Sequence, residues 1–379
     1  MSGIEPSDPR GMVGTLLCGR YRLVRHLASG GMGEVWAATD EELGRNVAVK
    51  LLHDHLAGNP ELVARFRREA RAAARVQHPG IVTVHDTCSS DGREAIVLQL
   101  IDGPTLRTYL DRSGPLPDEA VITIGRSVTE ALEVAHRAGL VHRDIKPANI
   151  LFGPDRAMLT DFGVAKALDE ADHTTTGTVL GSVRYLSPEQ VEGTPPDGRS
   201  DVYSLGVVLY ECATGSTPWV GDTAAATALA RLDQPLVPPR ALNPSISPAL
   251  DALITRCLAR RPEDRFATAG DLVVAFDAVA SGAVPLTPEQ ASDLTVAVDA
   301  TPRPPAATDA TVAAGGPRPT PGSGEFDGFD DDPGFDPQPE WARRSCAGPL
   351  LIGTLIVVAV AVAVVLVANT AMWQSVTGG

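Results

Sequence analysis

Cationic charge is in short supply in this 379-residue sequence: 32 Lys and Arg stand against 47 Asp and Glu, a formal net charge of −15. That balance excludes bulk electrostatic attraction to nucleic acid or to an anionic membrane surface, so any phosphate recognition must be local. Cysteine is also scarce. The five cysteines, Cys18, Cys88, Cys212, Cys257 and Cys346, form no CxxC and no metal-ligand spacing, which argues against a zinc site or a disulfide framework. Free thiols in a reducing compartment are the expectation. The start, MSGIEPSDPRGMVG, puts no apolar stretch behind basic residues, so no signal peptide is expected.

What is present changes character along the chain. Residues 1–17 read as a polar, flexible lead-in. From there YRLVRHL and NVAVKLL read as strands, and PELVARFRREARAAARV has apolar positions about 3.6 apart, the period of a helix. Helical signals continue to DLVVAFDAVA, so 18–280 is expected to be one folded unit, strand-rich first and helix-rich afterwards. Residues 281–346 are rich in Pro, Ala, Thr, Gly and Asp, with eleven prolines, and are expected to be a disordered, extended linker. Within it EFDGFDDDPGFDP repeats a Phe-Asp pair at Phe326, Phe329 and Phe335; an acidic spacer and a partner-docking motif both explain it.

Three motifs carry chemistry. In LASGGMGEVW, spanning Leu27, Ala28, Ser29, Gly30, Gly31, Met32, Gly33, Glu34, Val35 and Trp36, the glycines let the backbone approach a phosphate chain. Alone, a glycine-rich hairpin turn explains it equally well. VAVK then delivers Lys50, which by itself is also consistent with an exposed charge on a strand. The decisive stretch is VHRDIKPANILF followed by LTDFGVAK: Asp144 precedes Asn149, and Asp161 follows. Together they supply a base for a hydroxyl and two oxygen ligands for magnesium.

With these motifs in this order, the chain resembles the bacterial eukaryotic-type (Hanks-type) serine/threonine protein kinases of the membrane-anchored kind, over about residues 15–280. The resemblance implies an α+β, two-lobed protein kinase fold with a small strand-rich N-lobe, a larger helical C-lobe, and ATP in the cleft. It implies that the loop from Leu27 to Val35 covers the phosphates, that Val35 and Ala48 sandwich adenine, and that Gln99 and Ile101 supply the hinge behind the gatekeeper Leu98. Lys50 would hold the α/β-phosphates and pair with Glu69. Asp144 would be the base, Lys146 would neutralise charge on the transferring group, and Asn149 with Asp161 would hold Mg²⁺ or Mn²⁺. Glu189 of SPEQ would pair with Arg265, and Asp201 would brace the catalytic loop. Thr174, Thr175, Thr176 and Thr178 sit where activation-loop phosphorylation would occur, with Arg143 as the phosphate partner and Thr174 and Thr176 favoured. Ala28 stands where the first glycine of the loop is usual.

The expected function is therefore ATP-dependent phosphorylation of protein Ser/Thr hydroxyls in signalling. Alternatives are a pseudokinase, which would be expected to lack one of Lys50, Asp144 and Asp161, a phosphothreonine scaffold that recruits partners, a role compatible with catalysis, and a small-molecule kinase, which would lack the SPEQ element and the threonine-rich activation segment. Linker threonines Thr301, Thr308, Thr311 and Thr320 are candidate docking points for phosphothreonine-reading domains. A kinase homodimer is compatible with the sequence, and nucleic acid is not an expected partner. Leu350 to Ala368 is uncharged, and as a helix it would span about 28 Å, close to a bilayer core. Residues 350–368 are expected to be a transmembrane helix. Arg343 and Arg344 then keep the kinase cytoplasmic and put 369–379 outside, too short a tail for a sensor domain.

Overall fold

The computed structural model describes residues 11–162 and 183–282. The linker, the apolar run at 350–368, Cys346 and the four activation-loop threonines lie outside the described residues. Six strands form one antiparallel sheet: β1 (Leu16–Leu17), β2 (Tyr21–Ser29), β3 (Gly33–Asp40), β4 (Arg45–Leu52), β5 (Val84–Ser90) and β6 (Arg93–Gln99), in the order β1-β2-β3-β4-β6-β5. β1 precedes the expected boundary at residue 18, and Met12 is buried in the same lobe, so folded structure begins inside the supposed lead-in.

Strand alternation gives β4 two different faces. Val47 and Val49 pack with Trp36, Leu23 and Val97 on one side, while Ala48 and Leu52 share the other with Phe66, Ala70, Leu98 and Met158. Lys50 falls on the second parity, at 8% exposure, so it points where Ala48 points. Helix α1 (Asp54–Ala57) leads to α2 (Pro60–Ala73), which starts because Asn59 Oδ1 accepts from the amides of Glu61 and Leu62, with Pro60 at the first turn. Phe66 and Ala70, four residues apart, anchor α2 on the sheet.

The helical part comprises α3 (Leu106–Ser113), α4 (Asp118–Arg137), α5 (Pro188–Val191), α6 (Gly198–Thr214), α7 (Ala224–Asp233), α8 (Pro239–Leu242), α9 (Pro248–Cys257) and α10 (Ala269–Ala280). α6 is buried on nearly every face from Ser200 to Ala213, which makes it the central rod. α4 crosses α6 and α10 at Gly125, where an added Cβ would stand 2.4 Å from Phe276 Cζ. A short hairpin, β7 (Ile150–Phe152) with β8 (Ala157–Leu159), lies at the top of this helical part. Among the described residues no helix is long and apolar enough to cross a membrane.

The expectation of free cysteines requires correction. Cys18 and Cys88 form a disulfide, with Cα atoms 6.3 Å apart. Both ends of the sheet order meet there, because the sheet curls until the β1–β2 turn faces β5. Tyr21 Oη donates to Asp86 Oδ2 at 2.7 Å across the same junction. Spacing along the chain carries no sign of this closure. Cys212 and Cys257 are free and buried; burial pushes the Cys257 thiol up to about 12 and raises Cys212 further, so neither is a reactive thiolate at neutral pH.

Candidate active site

The β7–β8 hairpin explains the spacing of the motif residues. Ile150 pairs with Leu159, and the Thr160 amide donates to the Asn149 carbonyl at 3.0 Å. The chain thus returns at Asp161 to the point it left at Asn149. Asn149 Nδ2 donates to Asp144 Oδ2 at 3.0 Å and to the Asp144 carbonyl at 2.8 Å. Lys146 Nζ lies 2.7 Å from the same Asp144 Oδ2. Asn149 and Lys146 therefore converge on one carboxylate oxygen of Asp144.

That segment is held from below. Asp201 accepts from the His142 amide and the Arg143 amide, both at 2.7 Å, and contacts His136 Nε2 at 2.8 Å. His142 is fully buried, its Nδ1 accepting from the Asp144 amide and its Nε2 donating to the Thr160 carbonyl. Arg143 and Asp161 take φ of 66° and 62°, a left-handed backbone that non-glycine residues avoid. The bracing from Asp201 and His142 holds these two turns.

Across the cleft, Lys50 Nζ donates to Asp161 Oδ1 at 2.5 Å. Here the expected Lys50–Glu69 pair is corrected. Glu69 is paired instead with Arg65, one helical turn back at 3.5 Å, and its Oε2 is buried without a hydrogen-bond partner. Burial raises the Glu69 pKa, opposed by Arg65, Arg143 and Lys50. Asp161, partly buried, is held below the usual carboxylate range: desolvation pushes it up, but Lys50 beside it, with His142 and Lys146, outweighs that and favours the charged form.

An apolar slot lies beside these charges. Ala48, Leu98 and Met158 are buried in one cluster with Val35, Ile101 and Leu151 packed against it. Gln99 ends β6, its amide donating to the Thr83 carbonyl at 2.8 Å. The glycine-rich turn from Gly30 to Met32 joins β2, which carries Leu27, Ala28 and Ser29 to its end, with β3, whose first residues are Gly33, Glu34 and Val35. Gly33 has a reason beyond phosphate approach: a Cβ there would sit 1.9 Å from the Leu51 carbonyl oxygen. Gly30 donates to the Gly33 carbonyl at 2.9 Å, closing the turn, and His53 holds it, its amide on the Met32 carbonyl and its ring Nε2 on the Gly30 carbonyl at 2.8 Å.

Further from the cleft, Arg265 makes two hydrogen bonds to Glu189, at 2.8 and 2.9 Å, and donates also to the carbonyls of Ala259, Arg199 and Arg260. Ser200 Oγ donates to Glu189 at 2.6 Å, and the Glu189 pKa is lowered to about 2 because these donors outweigh its burial.

Several contributors are not legible in the motifs. Met158, three residues before Asp161, forms part of the apolar slot. Arg231 on α7 is 2% exposed and donates to the carbonyls of Val183, Arg184 and Leu186, pinning the segment that leads into α5. Tyr185 donates to Glu211 at 2.6 Å, and Glu211 also receives Arg107 at 2.7 Å. An X-Pro-Glu after an aromatic residue marks the region, but nothing in the sequence marks an arginine 45 residues on as its clamp.

A basic loop residue, a carboxylate with a neighbouring amide and lysine, and a second carboxylate on a returning hairpin, set below a glycine-rich strand turn, define a two-lobed phosphotransferase site. The family model for the protein kinase domain matches residues 21–274, and the chain belongs to that family. It is 44% identical over 284 residues to the serine/threonine-protein kinase PknA of Mycobacterium tuberculosis, covering 73% of this chain and 65% of that protein. With PknB of Mycobacterium leprae it shares 42% over 283 residues, 73% of this chain and 46% of that one. The chain thus spans less than two thirds of the length of these relatives. Among solved structures, the PknI kinase domain of M. tuberculosis superposes with a TM-score of 0.57 at 30% identity, over 71% of this chain and 98% of that one.

Proposed function

We propose that the chain is a serine/threonine protein kinase that transfers the terminal phosphoryl group of ATP to protein hydroxyls. The observation that carries this reading is the convergence of Lys146 and Asn149 on Asp144 Oδ2 within 3.0 Å, with Asp161 returned beside them by the hairpin. The residues fit the nucleotide and its metal. Asn149 and Asp161 offer hard oxygen donors of the kind Mg²⁺ takes, and Asp161 is kept ionised. Lys50 offers a cation to the phosphates, and Val35, Ala48, Met158 and Ile101 an apolar slot to the base. When bound, MgATP supplies the transferable group and much of the charge neutralisation.

Asp144, held by Asn149, orients the substrate hydroxyl and accepts its proton. Lys146 keeps its ammonium beside that carboxylate and neutralises charge as it develops. Lys50 fixes the donor end. The test is autophosphorylation, and phosphorylation of a generic protein substrate, by the purified chain with Mg²⁺ or Mn²⁺, beside Asp144→Asn and Lys50→Met. The reading fails if the wild type gives neither signal.

The same reading extends to regulation and place. Phosphorylation of Thr174 and Thr176 would put a dianion within reach of Arg143, which is exposed and directly precedes Asp144. Phosphosite mapping of active and Asp144→Asn protein checks it. The uncharged run 350–368, flanked by Arg343 and Arg344, supports anchoring in the cell membrane with the kinase on the cytoplasmic side. Fractionation with protease protection tests that placement; recovery in the soluble fraction would remove it. Phosphorylated linker threonines would add a recruiting role for phosphothreonine-reading domains, and absence of phosphate between 281 and 346 would count against it.

A further inference from the structure

We propose that Cys18 and Cys88 are a reversible thiol–disulfide couple, a redox modification site that staples the nucleotide-binding lobe shut. The two cysteines are 70 residues apart, and the enclosed loop holds the glycine turn, Ala48, Lys50 and α2 with Glu69. Every N-lobe side chain of the proposed site except the gatekeeper Leu98 and the hinge residues therefore lies between Cys18 and Cys88 along the chain.

The geometry favours a couple that opens and closes. Cys18 and Cys88 are half-buried, within reach of a small thiol reagent, unlike the enclosed Cys212 and Cys257. Cys18 takes φ of 53° and Gly19 φ of 65°, so two successive left-handed residues turn the β1–β2 connection toward β5. The Tyr21–Asp86 hydrogen bond holds the two segments in register beside the sulfurs, so reduction leaves the thiols facing each other. From β5 the junction continues: Ser89 Oγ donates to Glu94, and Glu94 receives Arg67 of α2 at 2.6 and 2.7 Å.

The oxidant is a low-molecular-weight disulfide. One protein thiolate attacks it, forming a mixed disulfide and releasing one small thiolate; the second protein thiolate attacks the mixed disulfide, releasing the other. One protein S–S bond forms, two protein thiols lose two electrons, and the small disulfide is reduced to two thiols.

The test takes the full chain equilibrated with oxidised glutathione or with dithiothreitol. Expected after oxidation are a Cys18–Cys88 crosslinked peptide, lost on reduction, and a melting temperature raised by about 5 °C or more in the wild type. Cys88→Ser should melt at one temperature under both conditions. Should that variant fail to fold, wild-type protein alkylated at its thiols while reduced replaces it. Absence of the crosslinked peptide under oxidation, or its formation without any melting shift, overturns the proposal.

Discussion

Two ion pairs in this protein look alike on paper and behave differently in space. The Arg265 guanidinium is wholly enclosed and uses its donors on Glu189 and three backbone carbonyls, while Glu189 also takes Ser200. Lys50, by contrast, reaches Asp161, while Glu69 keeps one buried oxygen with no partner and the other on Arg65. A fully satisfied pair fixes one arrangement, because any move strands a buried charge. A lysine with two carboxylates in electrostatic reach is not confined to one partner in this way, and α2 carries one of the two, Glu69. The first pair belongs to the scaffold and the second to the working part.

The sharpest way to break the comparison is in the working part. Asp144→Asn should reduce phosphoryl transfer by about 10²–10⁴-fold while leaving the melting temperature nearly unchanged, measured by autophosphorylation beside calorimetry. In the scaffold the signature inverts. Arg265→Ala leaves Glu189 buried with its main partner gone and should destabilise by about 3–5 kcal/mol in denaturant unfolding. A variant that unfolds normally would show that the pair contributes little.

Acid should act on the same scaffold pair. Glu189 has a folded pKa of about 2 against an ordinary 4.5, so the folded state holds fewer protons between those values. The stability it contributes is fully present above pH 4.5 and is lost as pH falls toward 2; the slope should disappear in Glu189→Gln. Smaller effects should come from the clamp on the segment before α5. Arg231→Met should raise the KM for a protein substrate several-fold with the KM for ATP little changed, because its donors hold the 183–186 carbonyls rather than the cleft. Smallest in stability, and opposite in sign, is Glu69→Gln: removing a desolvated carboxylate should raise the melting temperature slightly while activity falls. A fall in both would mean that Glu69 stabilises the fold through a partner.

Much of the site could be read before the fold was known. The spacing of Asp144, Asn149 and Asp161 encodes a loop and a hairpin return, and short-range geometry of that kind survives in sequence. The strand VAVK alternates strictly enough to place Lys50 on the same face as Ala48. Partners were another matter. Lys50 meets Asp161, 111 residues away, rather than Glu69, and Glu69 is satisfied in part by Arg65 within its own helix. Arg231 becomes important only because α7 folds back under the Val183–Leu186 segment. Cys18 and Cys88 looked like unrelated free thiols because their meeting depends on the curl of a six-stranded sheet, which brings together the two strands farthest apart in its order.

The sequence by itself determined the chemistry on offer: which residues carry protons, charge and oxygen donors, and in what local turns they are presented. Backbone propensity and side-chain alternation act over a few residues, so such features are written where they are used. Only the tertiary structure decided which charge answers which, that the N-lobe sheet closes on itself through a disulfide, and that a buried arginine clamps the approach to α5. Those outcomes depend on how sheet curl and helix packing bring distant segments within a few ångströms, and the distance between two side chains in space is not a property of either residue.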